Sequence, residues 1–284
     1  MEIDGSTELL GLIGNPVAHS YSPLLHNSVL QHLKINAVYV PLQVAPQELA
    51  RAVYGMPALG FKGVNVTIPY KEAVLPYLDA LEGDAALCRS VNVIENREGR
   101  LIGHNTDGQG FLTALREAGF PGSGKAVFIG SGGAARSLAF TMGASGFSEL
   151  DLLDTDLQRA EKLADEVRAQ IPGKCRAVLM NLQNFRDASR EASLVVNCSP
   201  VGMHPLIDQS PVEDLSFLDE NAALYDIIYN PVLTRFLTLG QSRGLKVLNG
   251  LPMFVHQAAL TLKILLGLNP PIDYMKAILA NEVG

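Results

Sequence analysis

The chain has 284 residues, 48% hydrophobic and 18% charged, with a formal net charge of −7 from 29 acidic and 22 basic side chains. This length sits where one hydrophobic core tends to split in two, so two domains are expected. The acidic balance and the lack of any long basic run exclude a nucleic-acid or anionic-membrane partner and leave a small molecule. Cys88, Cys175 and Cys198 are widely separated and odd in number, which fits reduced thiols in a cytoplasmic protein better than a disulfide frame. No basic-plus-apolar leader is visible, and apolar stretches such as ALTLKILLGL are short and carry a lysine, so no membrane span is expected.

In chain order, ELLGLIG (8–14) reads as a buried strand. It is followed by the loop NPVAHSYSP and a helix from Leu24 to about Leu33, with Ser22 as N-cap and Pro23 at the first helical position. AVYVPLQV (37–44) is a second strand and 46–59 a helix by apolar spacing. In GVNVTIPYK (63–71), Val64, Val66 and Ile68 alternate with Asn65 and Thr67 as in a half-buried strand, yet the run meets Pro69 and closes on Lys71. Residues 90–107 read as a hairpin turning at Glu98 and Gly99. A helix over 108–118 and the joint PGSGK lead to strands around 125–129, 149–154, 175–180, 192–199, 223–229 and 244–250, alternating with helical or loop segments. That rhythm predicts a doubly wound parallel sheet. A helix over 251–266 follows it. The reading is an α/β protein with an N-terminal α/β domain (1–107 plus 251–284) and a Rossmann-type domain (108–250).

GSGGAARS places Gly130, Gly132 and Ala135 in the G-x-G-x-x-G/A pattern between an apolar strand and a helix. Gly130 makes the tight turn, Gly132 lets the backbone approach a pyrophosphate, and Ala135 allows close helix–strand packing. Ser131, Gly133 and Ala134 complete the loop at the helix N-terminus. Asp154 ends the next strand, close to the expected interval of about 20 residues. A carboxylate there accepts ribose hydroxyls and repels a 2′-phosphate, so NAD is favoured; Arg159, one turn into the next helix, keeps NADP open. Lys71 and Asp107 are a candidate proton-handling pair, the carboxylate orienting an ammonium that exchanges a proton with a carbonyl or hydroxyl. The six histidines show no metal-ligand spacing, and no metal is expected.

GNPVAHSYSPLLHN, GVNVTIPYK, SVNV, GHNTDG, GSGGAAR, YDIIYNP and GLPMFVHQAA occur in the order and at about the intervals seen in the shikimate dehydrogenase family, which includes the quinate/shikimate dehydrogenases. The resemblance runs from about Leu9 to Leu266. It implies a substrate domain and a Rossmann domain flanking an active-site cleft, and reversible NAD(P)-linked oxidation of shikimate to 3-dehydroshikimate in the shikimate pathway, or the equivalent oxidation of quinate. Carried over by position, Lys71 and Asp107 resemble the catalytic pair. Ser20 and Ser22 resemble the hydroxyls that hold the substrate carboxylate, and Thr67, Asn92 and Gln257 the partners of ring hydroxyls. Tyr229 resembles the family tyrosine at the cleft, with Ile227 and Gly250 near the nicotinamide. Simpler roles stand beside these: Ser22 as a helix cap, Asn92 as a turn residue, Tyr229 as packing and Gln257 as an exposed helix residue. The chain departs from the NADP-type N-R-T pattern at Asp154–Asp156, where Thr155 replaces an arginine, which again favours NAD. Pro200 in NCSPVGM resembles quinate/shikimate enzymes, whereas the paired serines at 20 and 22 resemble shikimate-specific ones. Quinate therefore stays as the alternative substrate, and the protein is read as a monomer or homodimer.

Overall fold

The computed structural model describes residues 3–283, which separate into two compact units, one running to Asp107 and including Val255–Glu282, the other Gly108–Phe254. In the first unit, β1 (Glu8–Gly14), α1 (Ser22–His32), β2 (Ala37–Gln43), α2 (Leu49–Gly55), β3 (Phe61–Val66), β4 (Ala80–Leu81), α3 (Asp84–Cys88), β5 (Val93–Arg97) and β6 (Arg100–His104) build a mixed sheet of order β2-β1-β3-β5-β6-β4. β1 pairs in parallel with β2 and β3, while β3, β5 and β6 pair antiparallel. The turn between β5 and β6 places Glu98 and Gly99 both at positive φ (54° and 88°), the left-handed geometry a two-residue hairpin turn demands. Asn27 of α1 donates to the Tyr39 carbonyl and accepts from its N–H, so the outer edge of β2 is met by a side chain instead of a further strand.

Helix α1 begins one residue earlier than predicted. Its N-cap is Tyr21, without a side-chain cap bond, and Ser20 Oγ accepts the Ser22 N–H at 3.2 Å. Ser22 is therefore not the cap. The predicted helix 46–59 is a 3-10 turn at Pro46–Glu48 followed by the short α2; Gly55 and Pro57 end it. β3 stops at Val66, ahead of Pro69, and its alternation does not map onto burial: Asn65 is 6% exposed and Ile68 66%. β3 is an inner strand whose two faces are both covered, and Ile68 lies beyond it in the turn.

In the second unit, α4 (Asp107–Glu117), β7 (Gly124–Ile129), α5 (Gly133–Ala144), β8 (Phe147–Asp154), α6 (Leu157–Gln170), β9 (Lys174–Leu179), α7 (Leu182–Ala188), β10 (Leu194–Asn197), β11 (Ala223–Asp226), α8 (Arg235–Ser242) and β12 (Lys246–Leu248) form an all-parallel sheet of order β12-β11-β10-β7-β8-β9. Read from the other edge this is the 3-2-1-4-5-6 order of the Rossmann fold, with the switch point between β7 and β10. Strands β10 to β12 are shorter than their apolar runs, because the residues past each carboxyl end leave the sheet as loops. Val127, Val195, Leu224 and Phe236 are wholly buried in its core, each side chain contributing about 1.5–3 kcal/mol by leaving water. α9 (Leu251–Leu266) and α10 (Ile272–Val283) complete the chain. Among the described residues no helix is long and apolar enough to cross a membrane.

Candidate active site

Lys71 follows β3 in the turn after Pro69, and Asp107 opens α4. Their side chains meet with Nζ 2.5 Å from Oδ2, the lysine 18% and the aspartate 6% exposed. The other carboxylate oxygen of Asp107 accepts Asn92 Nδ2 at 2.9 Å, so the acid cannot swing away from the lysine without breaking a buried bond. Asn92 is itself held: its Oδ1 accepts the Thr106 N–H at 2.8 Å, and its amide also donates to Thr106 Oγ1 and, at 3.4 Å, to Gln257 Oε1 of α9. Asn105 Oδ1 accepts the Asp107 N–H, and the Lys71 carbonyl accepts the Val91 N–H at 2.7 Å. Residues 71, 92, 107 and 257 thus form one network. Asn92, in the bend before β5, is buried and Gln257 is only 9% exposed, so neither is a surface residue.

Behind this network lies a second one that sequence reasoning did not single out. Tyr39 donates to Asn65 Oδ1 at 2.8 Å, and Asn65 Nδ2 donates to Thr261 Oγ1 of α9 and to the Asn92 carbonyl. Burial pushes the Tyr39 hydroxyl far above its ordinary range, and a hydrogen bond from Ser22 to it works the other way. Thr67 sits over β1, where a Cβ added at Gly14 would lie 2.3 Å from Thr67 Cγ2; the glycine makes room for that side chain. The available signal was Asn65, a polar residue in an apolar strand.

In the second unit the glycine-rich turn lies where the sheet order reverses. Gly130 has φ 97°, and a Cβ there would stand 3.1 Å from the Ser199 nitrogen, so both conformation and space call for glycine. Gly132 is extended with nothing within 4 Å of its missing Cβ, which leaves the approach to its backbone open. Gly133 and Ala134 begin α5, whose N-terminus carries no side-chain cap, and Ala135 is fully buried. These features fit the pyrophosphate of a dinucleotide.

Asp154 is 3% exposed and already well supplied with donors. One oxygen accepts both the N–H and the hydroxyl of Ser131 at 2.7 Å, the other accepts the Asp156 N–H, and Arg159 makes a forked ion pair across both. Burial raises the carboxyl, but the Ser131, Asp156 and Arg159 hydrogen bonds outweigh it and hold it below the usual carboxylate range. Arg159 is 54% exposed and so able to move. Past β11, the Ile227 N–H is held by the Asn197 carbonyl, and a Cβ on Gly250 would lie 2.0 Å from the Ile227 carbonyl oxygen, an approach only glycine permits. Tyr229 stacks on Phe254 with centroids 4.7 Å apart.

Residues 12–94 match the model of the shikimate dehydrogenase substrate binding domain, and residues 250–279 that of the shikimate 5′-dehydrogenase C-terminal domain. A shikimate dehydrogenase (NADP(+)) of Syntrophomonas wolfei is 49% identical over 100% of this chain and 98% of its own. The chain belongs to the shikimate dehydrogenase family. It is accordingly a nicotinamide-dinucleotide oxidoreductase acting on a CH–OH group. Among solved structures, the shikimate 5-dehydrogenase of Listeria monocytogenes in complex with shikimate and NAD superposes with a TM-score of 0.91 at 33% identity, covering 98% of each chain. The Thermus thermophilus enzyme in complex with NADP(H) and shikimate gives 0.86 at 34%, covering 97% of this chain and 99% of its own. Family members thus appear with either dinucleotide, and the sequence-based preference for NAD finds no support in the relatives named for NADP(+).

Proposed function

We propose that this family member interconverts shikimate and 3-dehydroshikimate, with the first unit as substrate domain and the second as dinucleotide domain. The observation that carries the reading is the Lys71–Asp107 pair, backed by Asn92 and reached through it by Gln257. Lys71 Nζ exchanges one proton per turnover with the reacting hydroxyl, and Asp107 keeps the nitrogen aimed. Ser20 and Ser22 hold the substrate carboxylate, while Thr67, Asn92 and Gln257 meet ring hydroxyls, and Tyr229 is a further substrate residue. Neutral donors and acceptors matched to each hydroxyl discriminate against analogues that lack one.

When bound, the dinucleotide supplies the hydride acceptor or donor. Gly130, Ser131, Gly132, Gly133 and Ala134 would hold its pyrophosphate, Asp154 and Arg159 its adenosine ribose, and Ile227 and Gly250 its nicotinamide end. We infer that both dinucleotides are used, with NAD favoured because Asp154 repels a 2′-phosphate and Thr155 offers no cation. Arg159 is the group that would receive NADP, on leaving Asp154.

Initial rates with shikimate and with quinate, each against NAD and NADP, test this. Turnover of shikimate with both dinucleotides and a higher kcat/KM for NAD is expected. No turnover of shikimate would refute the substrate reading, turnover confined to NADP would refute the NAD preference, and an equal kcat/KM for quinate would make it a quinate/shikimate enzyme.

A further inference from the structure

Asp226, the last residue of β11, is wholly buried, and no lysine, arginine or histidine pairs with it among the described residues. Three donors converge on it, one from the end of β10 and two from the loop after β11: Asn197 Nδ2 at 3.1 Å and the Ile228 N–H at 3.0 Å on Oδ1, and Thr234 Oγ1 at 2.7 Å on Oδ2. Each of those partners governs a loop. Asn197 ends β10, and its Oδ1 accepts both the N–H and the hydroxyl of Ser199, while its amide reaches the Val201 carbonyl. Ser199 is the residue whose nitrogen packs against Gly130. Thr234 is the N-cap of α8, and the Ile228 carbonyl accepts the Gly250 N–H at 3.0 Å.

One carboxyl group therefore ties together the carboxyl ends of β10 and β11, the glycine turn after β7 and the segment entering α9. In an open parallel sheet these strand ends are where a dinucleotide lies. Burial lifts the Asp226 carboxyl to about 6, against the pull of its three donors. A buried acid without a counter-ion is a costly way to hold a fold together, and an apolar residue would fill the same space more cheaply. The titratable groups facing it are Cys198 and Tyr225, both pushed well above their ordinary ranges by burial first and then by the Asp226 charge, so neither competes for its proton near neutrality.

We propose that Asp226 is a positioning residue for the dinucleotide, setting the Ser199–Val201 turn and the Ile227–Thr234 loop around its nicotinamide half. The proposal rests on the cofactor reading above, and the experiment separates the two. NADH and NADPH binding are each followed by fluorescence, with shikimate KM and melting temperature alongside, for the wild type and for Asp226→Ala, Asp226→Asn and Ser199→Ala. Asp226→Ala should raise the NADPH Kd about tenfold while the shikimate KM stays within about twofold. Asp226→Asn should recover most of the affinity, because its oxygen still accepts Asn197 and Ile228 and its amide donates to Thr234. Ser199→Ala, a milder change that leaves the carboxyl in place, should raise the Kd about threefold, and it carries the test if Asp226→Ala fails to fold. A folded Asp226→Ala with wild-type affinity, an Asp226→Asn as impaired as the alanine variant, or an unaffected Ser199→Ala where the alanine variant does not fold would overturn the proposal. A wild type that binds neither dinucleotide would overturn the cofactor reading along with it.

Discussion

An Asp107→Asn enzyme should fold, bind shikimate and lose turnover. In the native site Asp107 Oδ2 accepts Lys71 Nζ at 2.5 Å and Oδ1 accepts Asn92 Nδ2 at 2.9 Å. Asparagine offers one acceptor oxygen, so it satisfies one of these donors and turns its own NH2 group on the other. A hydrogen bond to a charged group contributes roughly 1.5–3 kcal/mol and a neutral one about 1 kcal/mol. Losing the ionic bond and setting donor against donor then amounts to about 2.5–4 kcal/mol at Lys71, or about two to three decades in kcat at about 1.4 kcal/mol per decade if that lysine handles the proton. With Lys71 18% and Asp107 6% exposed, water restores little of this. Because Ser20 and Ser22 are untouched, the shikimate KM should stay within about threefold. Steady-state kinetics at saturating dinucleotide measure both constants, with melting temperature as the control for folding. A folded variant whose kcat lies within about fivefold of wild type would refute the assignment of the pair.

Arg159→Ala should raise the KM for NADP about tenfold and leave that for NAD unchanged or lower, since Asp154 is then free for ribose hydroxyls; equal changes for both dinucleotides in parallel kinetics would contradict the role given to Arg159. Gly250→Ala must displace the Ile227 carbonyl, which a Cβ would approach to 2.0 Å, so the melting temperature should fall, by the equivalent of about 1–3 kcal/mol, and dinucleotide affinity should weaken in the same preparation. His26 is fully buried, stacked on Tyr39 at 4.3 Å with neither ring nitrogen partnered, and burial lowers its pKa to about 3. Its folded value lies below the unfolded 6.5, so the stability it carries is complete above pH 6.5 and is lost as pH falls toward 3, at up to about 1.4 kcal/mol per pH unit. His26→Phe should therefore gain on the wild type in melting temperature as pH drops from 7 to 4; parallel profiles would exclude this contribution.

Local chemistry made much of the fold legible. Alternating apolar strands and helices announced an α/β protein, the glycine turn before α5 announced a strand-to-helix turn of the dinucleotide type, and Glu98–Gly99 announced a hairpin, because each depends on nearest neighbours in the chain. Where residues flank special backbone, as at Gly130 and Gly250, a missing side chain is itself the signal. Element ends were read less well. α2 and strands β10 to β12 are shorter than their apolar runs, since apolar residues also pack in the loops that leave the sheet.

The amino-acid sequence by itself determined the α/β plan, the glycine turn and the expectation that Lys71 and Asp107 pair. Tertiary structure alone decided that residues 71, 92, 107 and 257 share one hydrogen-bonded network, that Asn65 links Tyr39 to Asn92 and Thr261, that Arg159 occupies Asp154, and that Asp226 gathers the loops after β10 and β11. Periodicity reports which face of an element is buried. Which distant residues meet on that face depends on strand order and register, and these are set by packing across the whole sheet, not by any local stretch of chain.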